Sequence, residues 1–236
     1  MKYLWLIFAG FCLPVVAQAQ VATPAAEESV KPGINEKFLD PNLKVDDWLK
    51  RFEVESREVF DARQQVLDAC KVKKGSCVAD VGAGTGLYTR MFAEAVGGGG
   101  WVYAVDINPR FLEHIQARAK QERHGNITSV LCREDSVTLP PDSVDLIFIC
   151  DTYHHFEYPK STLASLVRAM KPGAEMVVID FERIVGKSRP WILGHVRAGK
   201  KVFRQEIEDA GLRFVEQVSV DGLEENYFLR FAKAEE

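Results

Sequence analysis

The sequence predicts an α/β fold built on a mostly parallel sheet, and three observations predict it. Apolar runs at 77–81, 101–105, 127–131, 144–150 and 175–181 alternate with helical or loop segments, the order expected when crossover helices join parallel strands. The chain ends differently: 201–210 reads as a helix stopped by Gly211, and 214–220 and 227–232 read as two strands with only a loop between them, an antiparallel hairpin on the sheet edge. Finally, 236 residues with 47% hydrophobic and 27% charged content suit one globular domain of ordinary core size. Thirty basic against thirty-four acidic residues leave a net charge of −4, so no overall positive field exists to hold nucleic acid by its phosphates. Five cysteines without a C-x-x-C pair or dense spacing argue against a zinc module or a disulfide-stapled scaffold.

Along the chain, Met1-Lys2 is a short positive region, 3–16 is almost wholly apolar, and Ala17-Gln18-Ala19 closes it with a small-x-small triplet. This predicts a signal peptide over 1–19, cleaved after Ala19, a periplasmic or secreted protein, and no stable membrane span after cleavage. Residues 20–36, with Ala, Glu and Pro prominent and little apolar content, read as a flexible linker. The remaining domain, 37–236, opens with helices over about 40–72. Asp40-Pro41 suits an N-cap and first turn, and Leu43, Trp48, Leu49 and Phe52 can share one face. Val59, Phe60, Val66 and Leu67 continue that pattern toward Cys70. The four glycines 97–100 precede a strand rather than a helix and read as a connection.

The most informative stretch is Val78-Ala79-Asp80-Val81-Gly82-Ala83-Gly84-Thr85-Gly86, a strand running into a glycine-rich turn before a helix that starts near Leu87. Glycines let backbone N–H groups approach a ligand, and the following helix N-terminus favours negative charge. A nucleotide-like cofactor is the natural occupant. The spacing is G-x-G-x-G, and Leu87 stands where the dinucleotide fingerprint needs its third glycine. Val102 to Val105 ends in Asp106, twenty residues past the loop, where a carboxylate can accept ribose hydroxyls. A third run leads to Glu134-Asp135-Ser136, a fourth to Asp151-Thr152-Tyr153-His154-His155, and Met170-Lys171-Pro172-Gly173 precedes the fifth.

Taken together these motifs resemble those of class I S-adenosylmethionine-dependent methyltransferases, over roughly residues 45–232. The resemblance implies a Rossmann-like, doubly wound, seven-stranded sheet with helices on both faces. It implies S-adenosyl-L-methionine as cofactor, held by Asp80, Gly82, Ala83, Gly84, Thr85, Gly86, Asp106, Ile107, Asp135, Ser136 and Asp151. The chain departs from the family's K-P-G-G turn at Ala174.

Methyl transfer from a sulfonium needs alignment and, for some acceptors, removal of a proton. Asp151, His154 and His155 follow the fourth strand and are the candidate bases, since histidine titrates near neutrality. Those three with His195 or Glu182 also have the chemistry of metal ligands, but adjacent histidines seldom point the same way and no H-x-x-x-H spacing occurs, so no metal is expected. Trp48, Arg57, Tyr153, Trp191, His195 and Tyr227 are the candidate contacts to a small-molecule O, N or S acceptor. A local Cys70–Cys77 pairing is open in an oxidising compartment. Two other functions stay in view: a protein that binds S-adenosylmethionine without turnover, and a nicotinamide oxidoreductase, against which the glycine spacing speaks. The chain is expected as a monomer or homodimer.

Overall fold

The computed structural model describes residues 26–54 and 57–235; the leader predicted over 1–19 lies outside them. Seven strands, β1 (Cys77–Val81), β2 (Trp101–Asp106), β3 (Ile127–Leu131), β4 (Val144–Cys150), β5 (Met170–Phe181), β6 (Arg213–Val218) and β7 (Asn226–Ala232), form one sheet in the order β3-β2-β1-β4-β5-β7-β6. The first five pair in parallel, and β7 lies antiparallel between β5 and β6. Between β1 and β4 the winding reverses. Crevices at such a switch point, beyond the C-terminal strand ends, are where open α/β sheets take ligands.

The central strands are buried on both faces, which is why they read as continuous apolar runs rather than alternating ones. Along β4, Leu146 and Phe148 pack on one side and Ile147 and Ile149 on the other. The first side is covered by α3 (Arg63–Ala69), α4 (Leu87–Val96) and α5 (Pro109–Glu122) through Val66, Phe92 and Ile115. The second is covered by α6 (Pro159–Ala169), α7 (Pro190–His195) and α8 (Lys200–Asp209) through Leu163, Ile192 and Phe203. A fully buried side chain of this kind contributes about 1.5–3 kcal/mol. α5 starts where Asn108-Pro109 predicts: the Asn108 side chain accepts the Arg110 N–H at 2.8 Å.

Three local readings change. Asp40 does not begin a helix; its carboxylate closes a turn on the Asn42 N–H, and α1 (Val45–Phe52) follows with Asp46 and Asp47 in its first turn. Within the predicted linker, the described residues from Ala26 to Glu36 are docked. The Glu27 carboxylate accepts the Lys160 and Ser161 N–H groups at the start of α6, and Ser29 and Gly33 donate to buried Glu157. Composition does not reveal this, because the partners stand more than 120 residues away. Cys70, Cys77, Cys132 and Cys150 are free thiols. No helix among the described residues is long and apolar enough to cross a membrane.

Candidate active site

A cavity of about 850 Å³ opens at the switch point, at the upper end of the range for small-molecule sites. The turn after β1 forms its floor. Gly82, Gly84 and Gly86 all have positive φ, but for different reasons. A Cβ on Gly82 would fall inside the Thr152 side chain, and one on Gly86 would stand 2.6 Å from Ile115 Cγ1, so these two serve packing. Gly82 and Gly84 both line the cavity, and at Gly84 the Phe52 ring stands 3.5 Å from where a Cβ would be.

Asp80 and Asp106 are buried beside this turn. Asp106 Oδ2 accepts the Gly84 N–H at 2.8 Å and Oδ1 the Asn108 N–H at 2.9 Å. Each oxygen keeps a lone pair for a ligand hydroxyl. Burial pushes its carboxyl up to about 6 against those N–H groups. Asp80 accepts from Thr89 Oγ1 at 2.6 Å, and burial, with Asp106 adding to it, pushes it up to about 7. A buried carboxyl so weakly compensated, facing a cavity, fits a ligand that brings positive charge. Ala83, Thr85 and Ile107 also line the cavity, whereas Asp135 is exposed and both it and Ser136 stand outside the lining; Cys132, Arg133 and Glu134 take that edge instead. The cause is local: Arg133 and Ser136 bridge across a tight turn that carries Asp135 outward.

The opposite wall comes from the N-terminal segment and α1 (Val45–Phe52). Phe38, Trp48 and Phe52 stack in sequence, with ring centroids 4.7 and 5.1 Å apart. α2 (Glu58–Asp61) is clamped rather than loose. Arg57 Nη2 lies 2.6 Å from Asp151 Oδ2, and Glu58 accepts the Glu225 and Asn226 N–H groups. Asn226 Nδ2 binds the other Asp151 oxygen at 2.6 Å. Asp151, held at φ +48, is thus saturated by permanent donors. Burial raises its pKa while Arg57 opposes the rise. It lines the cavity as a clamp for Arg57, not as a free base, and Arg57 is correspondingly committed to it rather than to an acceptor.

The two histidines enter on a 3-10 turn, Tyr153–His155, after β4. His154 is buried; its Nδ1 donates to Asp180 at 2.8 Å and its backbone N–H to the same carboxylate at 3.0 Å. That proton placement follows from the partner, since a carboxylate accepts only. Nε2 is left with its lone pair on the cavity side. His155 sits between Asn35, 3.2 Å from its Nδ1, and His195, 3.3 Å from its Nε2. Burial first, then the neighbouring His154, His195 and Lys31, push it down to about 2; His195 goes down to about 4 for similar reasons. His155 is therefore a poor proton acceptor. Of the acceptor contacts expected from sequence, Trp48, Arg57, Trp191 and His195 line the cavity, and Tyr153 and Tyr227 do not. The Tyr153 ring packs on Phe203 and its hydroxyl bonds Glu206 at 3.0 Å; Tyr227 is buried under Lys200. Both side chains are taken up by the core beneath α6, α7 and α8 instead of the cavity wall. The sequence motifs do not single out Asp180 or Asn226. Asp180 had a signal, an acid interrupting an apolar strand at its C-terminal end.

Residues 79–178 match the family model described as a methyltransferase domain. The ubiquinone/menaquinone biosynthesis C-methyltransferase of Marinomonas sp. (strain MWYL1) is 30% identical over 122 residues, 51% of this chain and 49% of the relative. That of Burkholderia mallei (strain SAVP1) is 32% identical over 114 residues, 48% of this chain and 46% of the relative. The chain thus spans about half the length of these curated relatives. A solved SAM-dependent methyltransferase from Aquifex aeolicus superposes with a TM-score of 0.69 at 27% identity, covering 82% of this chain and 98% of that one. Residues 79–178 thus match a methyltransferase domain, and the seven-stranded fold around them is shared with a solved SAM-dependent methyltransferase.

Proposed function

We propose that the protein transfers a methyl group from S-adenosylmethionine to a small planar acceptor carrying an ionisable hydroxyl. The observation that carries this is the His154–Asp180 pair, opening on the same cavity as Gly84, Asp80 and Asp106. The bound cofactor supplies a methyl group on a positively charged sulfur. Asp106 would accept hydrogen bonds from its ribose hydroxyls, and an ionised Asp80 would offset its positive charge. The Phe38–Trp48–Phe52 wall stacks a flat acceptor, with Trp191 closing the other side. His154 Nε2 takes the hydroxyl proton while Asp180 holds the ring in the Nδ1–H tautomer and stabilises the imidazolium that forms. The resulting anion is nucleophilic at oxygen and at the adjacent ring carbon. The second site enlarges the expected O, N or S acceptor set to carbon, in keeping with the named activity of the relatives of which this chain spans about half.

The test is calorimetric titration with S-adenosylmethionine and, separately, NADH, followed by labelled methyl transfer to panels of phenols, thiols and amines. Binding of the first and not the second, with label in the phenols, is the expected result. Label in no panel despite tight binding would favour a non-catalytic binder, and absence of binding would sink the reading. On the sequence alone we also propose that 1–19 directs export; an amino terminus at Gln20 in the periplasmic or secreted fraction supports it, and Met1 retained in the cytosol overturns it.

A further inference from the structure

The 3-10 turn that follows β4 does what adjacent histidines rarely do: it turns both imidazoles toward a third. One ring nitrogen from each of His154, His155 and His195 lies within 4.8 Å of the other two. The ring centroids are 4.4, 5.0 and 5.1 Å apart. His155 Nε2 and His195 Nε2 are separated by 3.3 Å. Two nitrogens on one tetrahedral zinc, each at ~2.05 Å, stand about 3.3 Å apart.

Counting protons sharpens the point. Asp180 fixes the His154 proton on Nδ1, and the Asn35 amide oxygen, 3.2 Å away, fixes the His155 proton on Nδ1. Both Nε2 atoms therefore carry lone pairs, and His195 can bring at most one proton between them. A cation satisfies all three nitrogens where a proton satisfies two. Outer partners are already in place: a carboxylate on His154, an amide on His155, and Lys31, which donates to the Gly194 and His195 carbonyls and so fixes where α7 ends. An all-imidazole set suits zinc, cobalt, nickel or copper, not magnesium or calcium.

We propose that His154, His155 and His195 bind one divalent transition-metal cation, leaving its fourth position open to the acceptor cavity. Binding does not depend on methyl transfer. Its consequence does: the cation takes the lone pair that His154 otherwise offers to an acceptor proton, and a hydroxyl entering the fourth position is made more acidic by the ion itself. The loaded and free states are alternatives at one nitrogen.

The experiment uses the protein without a polyhistidine tag, stripped by chelator and titrated with Co²⁺ under visible absorption, then with Zn²⁺ in competition. One Co²⁺ per chain is expected, with a tetrahedral spectrum displaced by Zn²⁺ and an affinity at least tenfold weaker in His195→Ala. Asp180→Asn should weaken it by about tenfold through His154. Circular dichroism shows whether each variant is folded, and His195→Gln, on the half-buried end of α7, is the second variant should His195→Ala be unstable. Absence of saturable binding below millimolar Co²⁺, or binding that survives loss of His195, overturns the proposal and leaves a hydrogen-bonded histidine pair. No cofactor or acceptor is present, so failure of the methyl-transfer reading would not move this result.

Discussion

Replacing Asp80 with asparagine should make the protein more stable at alkaline pH and weaker at holding its cofactor. Burial pushes the Asp80 carboxyl from 3.8 up to about 7, with Asp106 adding to the rise and the Thr89 hydroxyl opposing it. Between those two values the folded state holds a proton that the unfolded chain has released, so this residue's contribution to stability falls as pH rises through the window. At about 1.4 kcal/mol for each tenfold change in proton affinity, the full displacement is worth of order 4 kcal/mol, most of it between pH 5 and 7. Side-chain relaxation and water entering from the cavity reduce the figure, so 2–4 kcal/mol is the working range, roughly. Asparagine keeps the shape and an acceptor for Thr89 but cannot ionise. Urea unfolding of both proteins from pH 5 to pH 8.5 reads the difference, and Asp106, common to both, largely cancels. The gap should open in favour of the variant as pH rises, while calorimetry shows weaker S-adenosylmethionine binding at pH 8. Parallel stability curves across the range would refute the assignment of Asp80 as an uncompensated buried acid awaiting a cation.

Other perturbations separate the clamp, the turn and the base. Arg57→Met leaves Asp151 buried without its counter-ion and should cost about 3 kcal/mol in urea unfolding; the double variant with Asp151→Asn should recover much of it, and an unchanged single variant would show that Asn226 alone suffices. Gly86→Ala places a Cβ against Ile115 at positive φ and should lower stability by about 1–3 kcal/mol, whereas Gly84→Ala should leave the melting temperature closer to the parent and act on cofactor affinity. Asp180→Asn should reduce kcat by about 10²–10⁴-fold with little change in cofactor affinity; an equal loss in both would place Asp180 in the scaffold rather than behind His154.

What the sequence makes legible here is whatever a few neighbouring residues decide by themselves. The turn after β1, the Asn108 cap and the acid ending β2 are each set by contiguous residues, so spacing alone locates them. The failures share the opposite cause. Asp180 meets His154 only because Cys150 pairs with Ile179, which sets the next residues, Asp151 just past β4 and Asp180 near the end of β5, side by side. His195 and residues 26–36 arrive from elements whose destination depends on the whole tertiary packing. Even so, one regularity spans both groups: Asp80, Asp106, Asp151 and Asp180 all stand at or beside the C-terminal end of a parallel strand, all are buried, and each has a different partner. An acid in that position is costly unless something compensates it. Backbone N–H groups do so for Asp106, Arg57 and Asn226 for Asp151, and a histidine for Asp180. Asp80 has a hydroxyl. Asp80, held by Thr89 alone, is the member of the row with the least compensation and it lines the cavity, which is why its titration, rather than that of the better-paired acids, reports on what the cavity is built to receive.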